Sequence, residues 1–292
     1  MKRRQFITHS LLAAGGFCLL PKAYAATSHP EMVILRGGSP AEMLDLGLEA
    51  LGDLDRFIQP GQKILVKPTL QWNQSPESGL NTNPKLLATL VRRCYEAGSR
   101  GVFLVDQTED KWTQCYKNSG IERAVKDAGA KILPGNKDFL YKSVNIPNAQ
   151  SMQHPKLHEV LQEVDLIINV PAVQIRPDNQ YFGAFRNLEG LIWQESGNQS
   201  MAPQQLLDFL HYKKPSLNIM DACRVATPTG LKDYKSLIIS TDIVSAESSA
   251  AQRLGINPES LPYLALAEQA GLGKTKLAQE QIRSIVLKNT KQ

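Results

Sequence analysis

Short aliphatic runs alternate along the chain with longer stretches whose apolar residues recur at helical spacing. Met32 to Leu35, Lys63 to Val66, Gly101 to Val105, Asp165 to Val170, Leu217 to Met220 and Ser236 to Ser240 read as strands. Several are apolar at consecutive positions, as strands covered on both faces are. Ala41 to Phe57, Pro84 to Ala97, Ile121 to Ala128, Ala202 to Tyr212 and Ile243 to Leu254 carry helical spacing between them. This alternation predicts an α/β fold: a wound, mostly parallel sheet with crossover helices in a Rossmann-like three-layer arrangement. Lys137 to His158 is less regular and is expected to form an inserted loop with a short strand, and Ile282 to Leu287 an added edge strand.

The first 25 residues stand apart from this pattern. Lys2, Arg3 and Arg4 give a basic end, Leu11 to Leu20 an apolar stretch, and Ala23-Tyr24-Ala25 small residues at alternate positions, the three parts of a cleavable secretory segment. The paired arginines make it a twin-arginine export signal, an address read by the Tat export machinery. Cleavage is expected after Ala25, which takes 25 of the 292 residues and leaves 26–292 as a single α/β domain in the periplasm, folded before it crosses. The apolar stretch stops at Pro21, short of the ~20 residues that span a bilayer, so no permanent span is expected after cleavage. Phe17 precedes Cys18 where lipid attachment wants a small residue. Removing Lys2, Arg3, Arg4 and Lys22 from the 33 basic side chains leaves 29 against 28 acidic ones. A charge so near balance gives no reason to expect nucleic acid, and the pI of 8.9 belongs largely to the signal.

The remaining cysteines, Cys94, Cys115 and Cys223, are too far apart for zinc or iron–sulfur ligand spacing, so no cluster is expected within the chain. One pair is free to bridge in an oxidising compartment, though Cys94 shares a stripe with Leu87, Leu90 and Val91 that favours a buried, inert thiol. Two further patterns are decoys. Gly271-Leu272-Gly273-Lys274-Thr275 ends like a phosphate loop, yet Glu268 stands where the first glycine belongs, so it reads as a helix end. His154 and His158 have metal-ligand spacing, but Pro155 lies between them and no acid completes a zinc-protease pattern.

A parallel sheet gathers ligands beyond the carboxyl ends of its strands. There the chain places Lys67, Asp106, Gln174, Arg176, Asp221 and Asp242, which are expected to converge on one site. Lys67 and the arginines suit a carboxylate or phosphate, while Asp221 or Asp242 as catalytic acids would orient a proton or metal. Each also has a plainer role: Asn83-Pro84 and Asp242 suit helix starts, and Asp106 and Asp221 suit turns. Glu247 falls on the apolar side of its helix and needs a buried partner, for which Lys67, Arg176 and Arg186 are candidates. Gly183 to Gly190 holds Arg186 and Asn187, a donor fork and an amide, between glycines that permit close approach.

Val66-Lys67-Pro68, Asn81-Thr82-Asn83-Pro84, Ala97-Gly98, Val105-Asp106, Ser119-Gly120-Ile121, Ile167-Ile168-Asn169-Val170-Pro171, Arg186-Asn187-Leu188-Glu189-Gly190, Asp221, Gly230, Asp242 with Glu247, and Gly271-Leu272-Gly273 follow in order. This ordered set resembles the domain-of-unknown-function 362 family from about Leu65 to Gly273. The resemblance implies a redox setting, since many relatives accompany ferredoxin-type modules and some carry twin-arginine signals. It carries Lys67, Asn187, Asp221 and Asp242 over as matching positions. Gln174-Ile175-Arg176 replaces the family's Lys-x-His, Arg186 replaces its lysine and Glu247 its second acid, and the ferredoxin-type cysteines are absent. The lost histidine removes the best proton-transfer or metal group from that position. An iron–sulfur cluster is therefore expected in a partner chain, with metal and other cofactors undetermined. Two readings stay open: a periplasmic redox-associated oxidoreductase subunit or electron-transfer accessory with an anion-binding pocket, or a non-catalytic binding or maturation factor for an anionic ligand.

Overall fold

The structure, a computed structural model, describes residues 29–178, 180–194 and 200–288. The export signal, Cys18 and the cleavage position after Ala25 lie outside the described residues. Strand β1 (Met32–Arg36) and helix α1 (Pro40–Leu51) are followed by β2 (Lys63–Pro68), α2 (Pro84–Glu96), β3 (Gly101–Leu104), α3 (Trp112–Asn118), α4 (Ile121–Asp127) and β4 (Lys131–Ile132). A small pair, β5 (Tyr141–Ser143) and β6 (Lys156–His158), leads through α5 (Val160–Glu163) into β7 (Leu166–Val170). A second pair, β8 (Gln174–Ile175) and β9 (Tyr181–Phe182), leads into α6 (Ala184–Asn187). Then come α7 (Pro203–Tyr212), β10 (Leu217–Thr227), β11 (Gly230–Ser240), α8 (Ile243–Arg253), α9 (Pro262–Gln269) and β12 (Ile282–Val286).

Eight strands form the central sheet in the order β12-β1-β11-β10-β7-β2-β3-β4. Neighbours run parallel except where β11 meets β1 and β10. Alternate residues of each strand face opposite layers, because side chains on a strand point up and down with period two. Ile64 and Val66 join Leu48, Leu51, Leu87, Leu90 and Ile121 in the core beneath α1, α2 and α4. Leu65 and Ile167 join Phe185, Leu207, Phe209, Ile243 and Ala250 beneath α6, α7 and α8. The fold is thus the three-layer, mostly parallel α/β arrangement the sequence implies, with β12 as the edge strand.

The one reversed strand departs from the sequence reading. Leu217 to Met220 and Ser236 to Ser240 are separated in sequence by enough residues for a crossover, but β10 and β11 grow into that gap and leave only Pro228 and Thr229 between them. So short a turn makes a hairpin, which can only be antiparallel. Other boundaries follow from caps. Gly52, at φ 94°, ends α1 well before Phe57, and Asp53 caps the short turn that follows. Asn83 accepts from the amides of Lys85 and Leu86, and Pro84 supplies the first helical residue, so α2 starts where the sequence says it should. Helix α3 carries no side-chain cap and was not expected, whereas α9 ends just before Gly271, at φ 71°, where Gly271-Leu272-Gly273 reads as a helix end.

Candidate functional site

Strand register builds the centre of the site. Lys67 of β2 lies beside Asn169 of β7, Asn169 beside Asn218 of β10, and Asn218 beside Ser240 of β11. By parity all four face the layer that holds α6 and α8, and all four are fully buried. A polar row therefore crosses four adjacent strands inside an otherwise apolar core. Its hydrogen bonds are made largely with α6. Asn187 donates to Asn169 Oδ1 at 2.8 Å and to the Lys67 carbonyl at 3.0 Å, while its own Oδ1 accepts from the Thr69 hydroxyl at 2.8 Å. Asn169 donates onward to the Ala184 carbonyl and to Asn218.

At the β2 end of this row Lys67 Nζ donates to Asp106 Oδ1 at 2.7 Å, to the Pro68 carbonyl at 2.8 Å and to Asn187 Oδ1 at 3.5 Å. Both charged side chains are 0% exposed. The Asp106 carboxylate also accepts from the amides of Leu70 and Gln107. Burial pushes the Lys67 ammonium down and the Asp106 carboxyl up, each opposed by the charge of the other. The pair is closed off by Gly190: a Cβ there would overlap Asp106 Oδ1 and press on Lys67 Cε. Lys67, Asp106 and Asn187 thus come together as expected, but as a sealed network rather than as groups open to a ligand.

Arg176 and Arg186 are only partly buried, unlike Lys67 and Asp106. Arg176 and Arg186 flank Gln180, Arg176 through its backbone amide and Arg186 through its guanidinium. Arg176 stacks over Phe182, 4.6 Å from the ring centroid, and donates to Gln71 Oε1 at 3.0 Å, yet its buried Nε has no acceptor. Burial, then the nearby Arg186, holds the Arg176 guanidinium below its ordinary value. Arg186 donates to Glu189 at 3.2 Å, and burial raises the Glu189 carboxyl against that attraction. Two partly desolvated guanidiniums with an unmatched N–H form an arrangement suited to an oxyanion. Gln107 adds a buried Oε1 without a partner beside the sealed pair.

Asp221, Asp242 and Glu247 do not join this site. Asp242 is a helix cap: Oδ1 accepts from Val244 and Ser245, and Oδ2 from Lys274. Ser240, the last residue of β11, is in the row with Lys67 but three strands away from it, and because β11 is reversed the chain beyond Ser240 heads toward the amino ends of β2 and β7 rather than out toward Asp106. Asp221 lies at the carboxyl edge but is buried, with its oxygens on the amides of Asn83 and Cys223, and burial raises its carboxyl. Glu247 has none of the three expected cations within salt-bridge distance. Its carboxylate takes the Ala184 amide and, at 3.0 Å, the Tyr263 hydroxyl, and burial pushes it up to about 7. It anchors the start of α6, the helix that carries Arg186 and Asn187.

Asn169, Asn218, Thr69, Glu189 and Gln107 have roles here that sequence reasoning did not assign. A lone asparagine inside an apolar strand was the available signal for the first two. His158, on β6, is buried, with its ring nitrogens on the Pro134 carbonyl and the Val160 amide. Cys94, Cys115 and Cys223 are free thiols; burial pushes Cys94 up to about 12 and Cys115 up to about 11. Among the described residues no group of three or more His, Cys, Asp or Glu is placed to hold a metal ion, and no helix is long and apolar enough to cross a membrane.

The chain belongs to the family described as "Domain of unknown function (DUF362)", whose match covers residues 64–252 and so contains the whole polar row and both arginines. It is 23% identical over 263 residues to a thylakoid-associated protein of Synechocystis sp., covering 82% of this chain and 77% of that protein. Among solved structures it is similar to the lactate racemase apoprotein from Thermoanaerobacterium thermosaccharolyticum, with a TM-score of 0.45 and 11% identity. That match covers 77% of this chain, which spans 57% of the length of the other.

Proposed function

We propose that this DUF362-family chain is exported by the twin-arginine route, is cleaved after Ala25, and works in the periplasm as an anion-binding accessory of a redox system. The observation that carries the binding role is the Arg176 guanidinium, stacked and half-buried beside Arg186 with a buried Nε that lacks an acceptor. A carboxylate or phosphate oxygen supplies the missing acceptor and lowers the repulsion between the two cations. The sealed Lys67–Asp106 pair and the Asn187 network hold α6 in place beneath them, so the arginines sit on a rigid floor. A binding role is favoured over acid catalysis because Asp221 and Asp242 both have their oxygens on backbone amides.

The redox setting rests on the sequence resemblance. Cys94, Cys115 and Cys223 lie separately on α2, α3 and β10, so the cluster in this reading belongs to a cysteine-rich, ferredoxin-type partner.

Two measurements test the proposal. Phosphate or oxalate is expected to raise the Tm of protein exported through its own signal, and a ligand at a hundredfold excess over Kd adds about 2.7 kcal/mol. Arg186→Ala and Arg176→Ala each should remove that shift; if the anions leave Tm unchanged, or both variants still respond fully, the binding role is wrong. Replacing Arg3 and Arg4 together by lysine is expected to abolish periplasmic accumulation, and undiminished export would rule out the twin-arginine route.

A further inference from the structure

The two edges of the central sheet differ. At one end β4 has only Lys131 and Ile132, too short a strand to receive another. At the other end β12 runs through Ile282-Arg283-Ser284-Ile285-Val286, pairs with β1 without a break in register, and has no strand on its outer side among the described residues. It holds no proline, and Arg283 is its one charge, so the usual guards against edge pairing are sparse.

Backbone direction alternates along a strand. The Leu287 amide donates inward to the Arg36 carbonyl, so Ile285 and Arg283, two and four residues earlier, also turn their backbone groups to β1. The amides and carbonyls of Ile282, Ser284 and Val286 therefore point out of the sheet. Their side chains share one face, on which Ile282 packs against the core and Val286 is 70% exposed. On the other face helix α1 covers β1 and β11, with Gly47 against Leu35 and Ile239 and Asp45 toward Arg93 of α2. Leu44 is buried, and Leu46, 38% exposed, comes out about 100° round the helix from Asp45, on the flank turned from α2 toward β12.

The ends of the strand carry opposite charges. Glu280 precedes β12 and Lys288 follows it; both are exposed, and among the described residues neither is in an ion pair. A parallel copy would set like charge beside like, whereas an antiparallel copy sets Glu280 opposite Lys288.

We propose that two copies of this chain join through β12, antiparallel about a two-fold axis at Ser284, so that their sheets become one. Ser284 of one copy exchanges amide-to-carbonyl hydrogen bonds with Ser284 of the other, and Ile282 does so with Val286. The side chains of Ile282 and Val286, both β-branched and apolar, then cover each other, and Glu280 meets Lys288 at each end. An axis at Arg283 or Ile285 would instead oppose residues whose backbone groups face β1. The exposed flanks that carry Leu46 face the junction from both copies.

Sedimentation velocity of the purified chain over a series of concentrations tests this. The parent is expected to pass from monomer to dimer as concentration rises. Ser284→Pro removes an outward amide at the axis but no bond to β1, and should weaken the dimer at least about tenfold. Val286→Lys leaves the backbone unchanged, sets an ammonium against Ile282 of the other copy, and should weaken it as well. Glu280→Lys should weaken the dimer and Glu280→Lys/Lys288→Glu should restore it, a rescue that a change in folding or solubility would not produce. A parent that is monomeric at every concentration, which would leave the edge to another protein or to a segment of the same chain, overturns the proposal. So does a dimer indifferent to Ser284→Pro and Val286→Lys, or a charge reversal that is not rescued.

Discussion

Lys67→Met is expected to cost the fold about 3–5 kcal/mol, because removing one member of a buried ion pair leaves the other charged and uncompensated. Methionine keeps the length of the stem, so the lost quantity is the ammonium rather than packing. Asp106 would then hold its charge on the amides of Leu70 and Gln107 alone, and Asn187 Oδ1 and the Pro68 carbonyl would each lose a donor. The pH dependence identifies the cause. Without Lys67 the Asp106 carboxyl rises further, so its neutral form is favoured in the folded state; the deficit should shrink as pH falls and grow as pH rises. Lys67→Met/Asp106→Asn removes both charges while keeping an acceptor for one of the two amides, and should be more stable than Lys67→Met alone. Urea denaturation reads all of this. A Lys67→Met variant within about 1 kcal/mol of the parent, or one whose deficit is the same in acidic and alkaline buffer, would show that the pair does not have this role.

How much of this was written in the chain depends on whether a feature is local. Lys67 and Asp106 were legible because each follows an apolar strand directly, and position along a strand is a local property. Their meeting was legible too, since carboxyl ends of parallel neighbours must lie together. Asn169 and Asn218 were not, because what makes them partners is the order β10-β7-β2 and its register, which no single segment encodes. The same gap explains Asp242. Its place after a strand suggested the site edge, but the outer halves of β10 and β11 leave the sheet and expose Leu231, Lys232, Asp233 and Lys235, so they lack the alternating apolar pattern of a strand. With the hairpin hidden, the reversal of β11 was hidden as well. Asp242 as a helix cap, by contrast, was a local reading and is what the structure shows. Glu247 fell between the two: helical spacing placed it inward correctly, while its partners, the Ala184 amide and Tyr263, come from distant segments that sequence does not bring together.

Glu247 gives the second large effect. The Tyr263 hydroxyl and the start of α6 surround it, the Tyr181 hydroxyl reaches its backbone carbonyl, and Arg186 is the cation that acts on it from a distance. Its carboxyl is raised from 4.5 to about 7 by burial, which the amides and Tyr263 only partly offset. A raised acid contributes stability that is fully present below its unfolded value and is lost as pH climbs through its folded one. The folded chain should therefore lose on the order of 3 kcal/mol from this group as pH rises from about 4.5 to above 7. Asp106, Asp221 and Glu189 are also raised and act in the same direction, so the parent alone cannot isolate the term. Glu247→Gln does so. The amide keeps an acceptor for the Ala184 N–H and a polar group for Tyr263, but it cannot ionise. The variant should match the parent in acid and become the more stable of the two above neutrality, and urea midpoints measured across that range read the crossover. Glu247→Ala, which leaves the Ala184 amide and the Tyr263 hydroxyl unpaired, should be less stable than Glu247→Gln at every pH by the ~1–3 kcal/mol of an unsatisfied buried group. Parallel pH profiles for the parent and Glu247→Gln would mean that Glu247 keeps one protonation state throughout. In that case the anchor of α6, and with it the seat of Arg186, would be indifferent to pH.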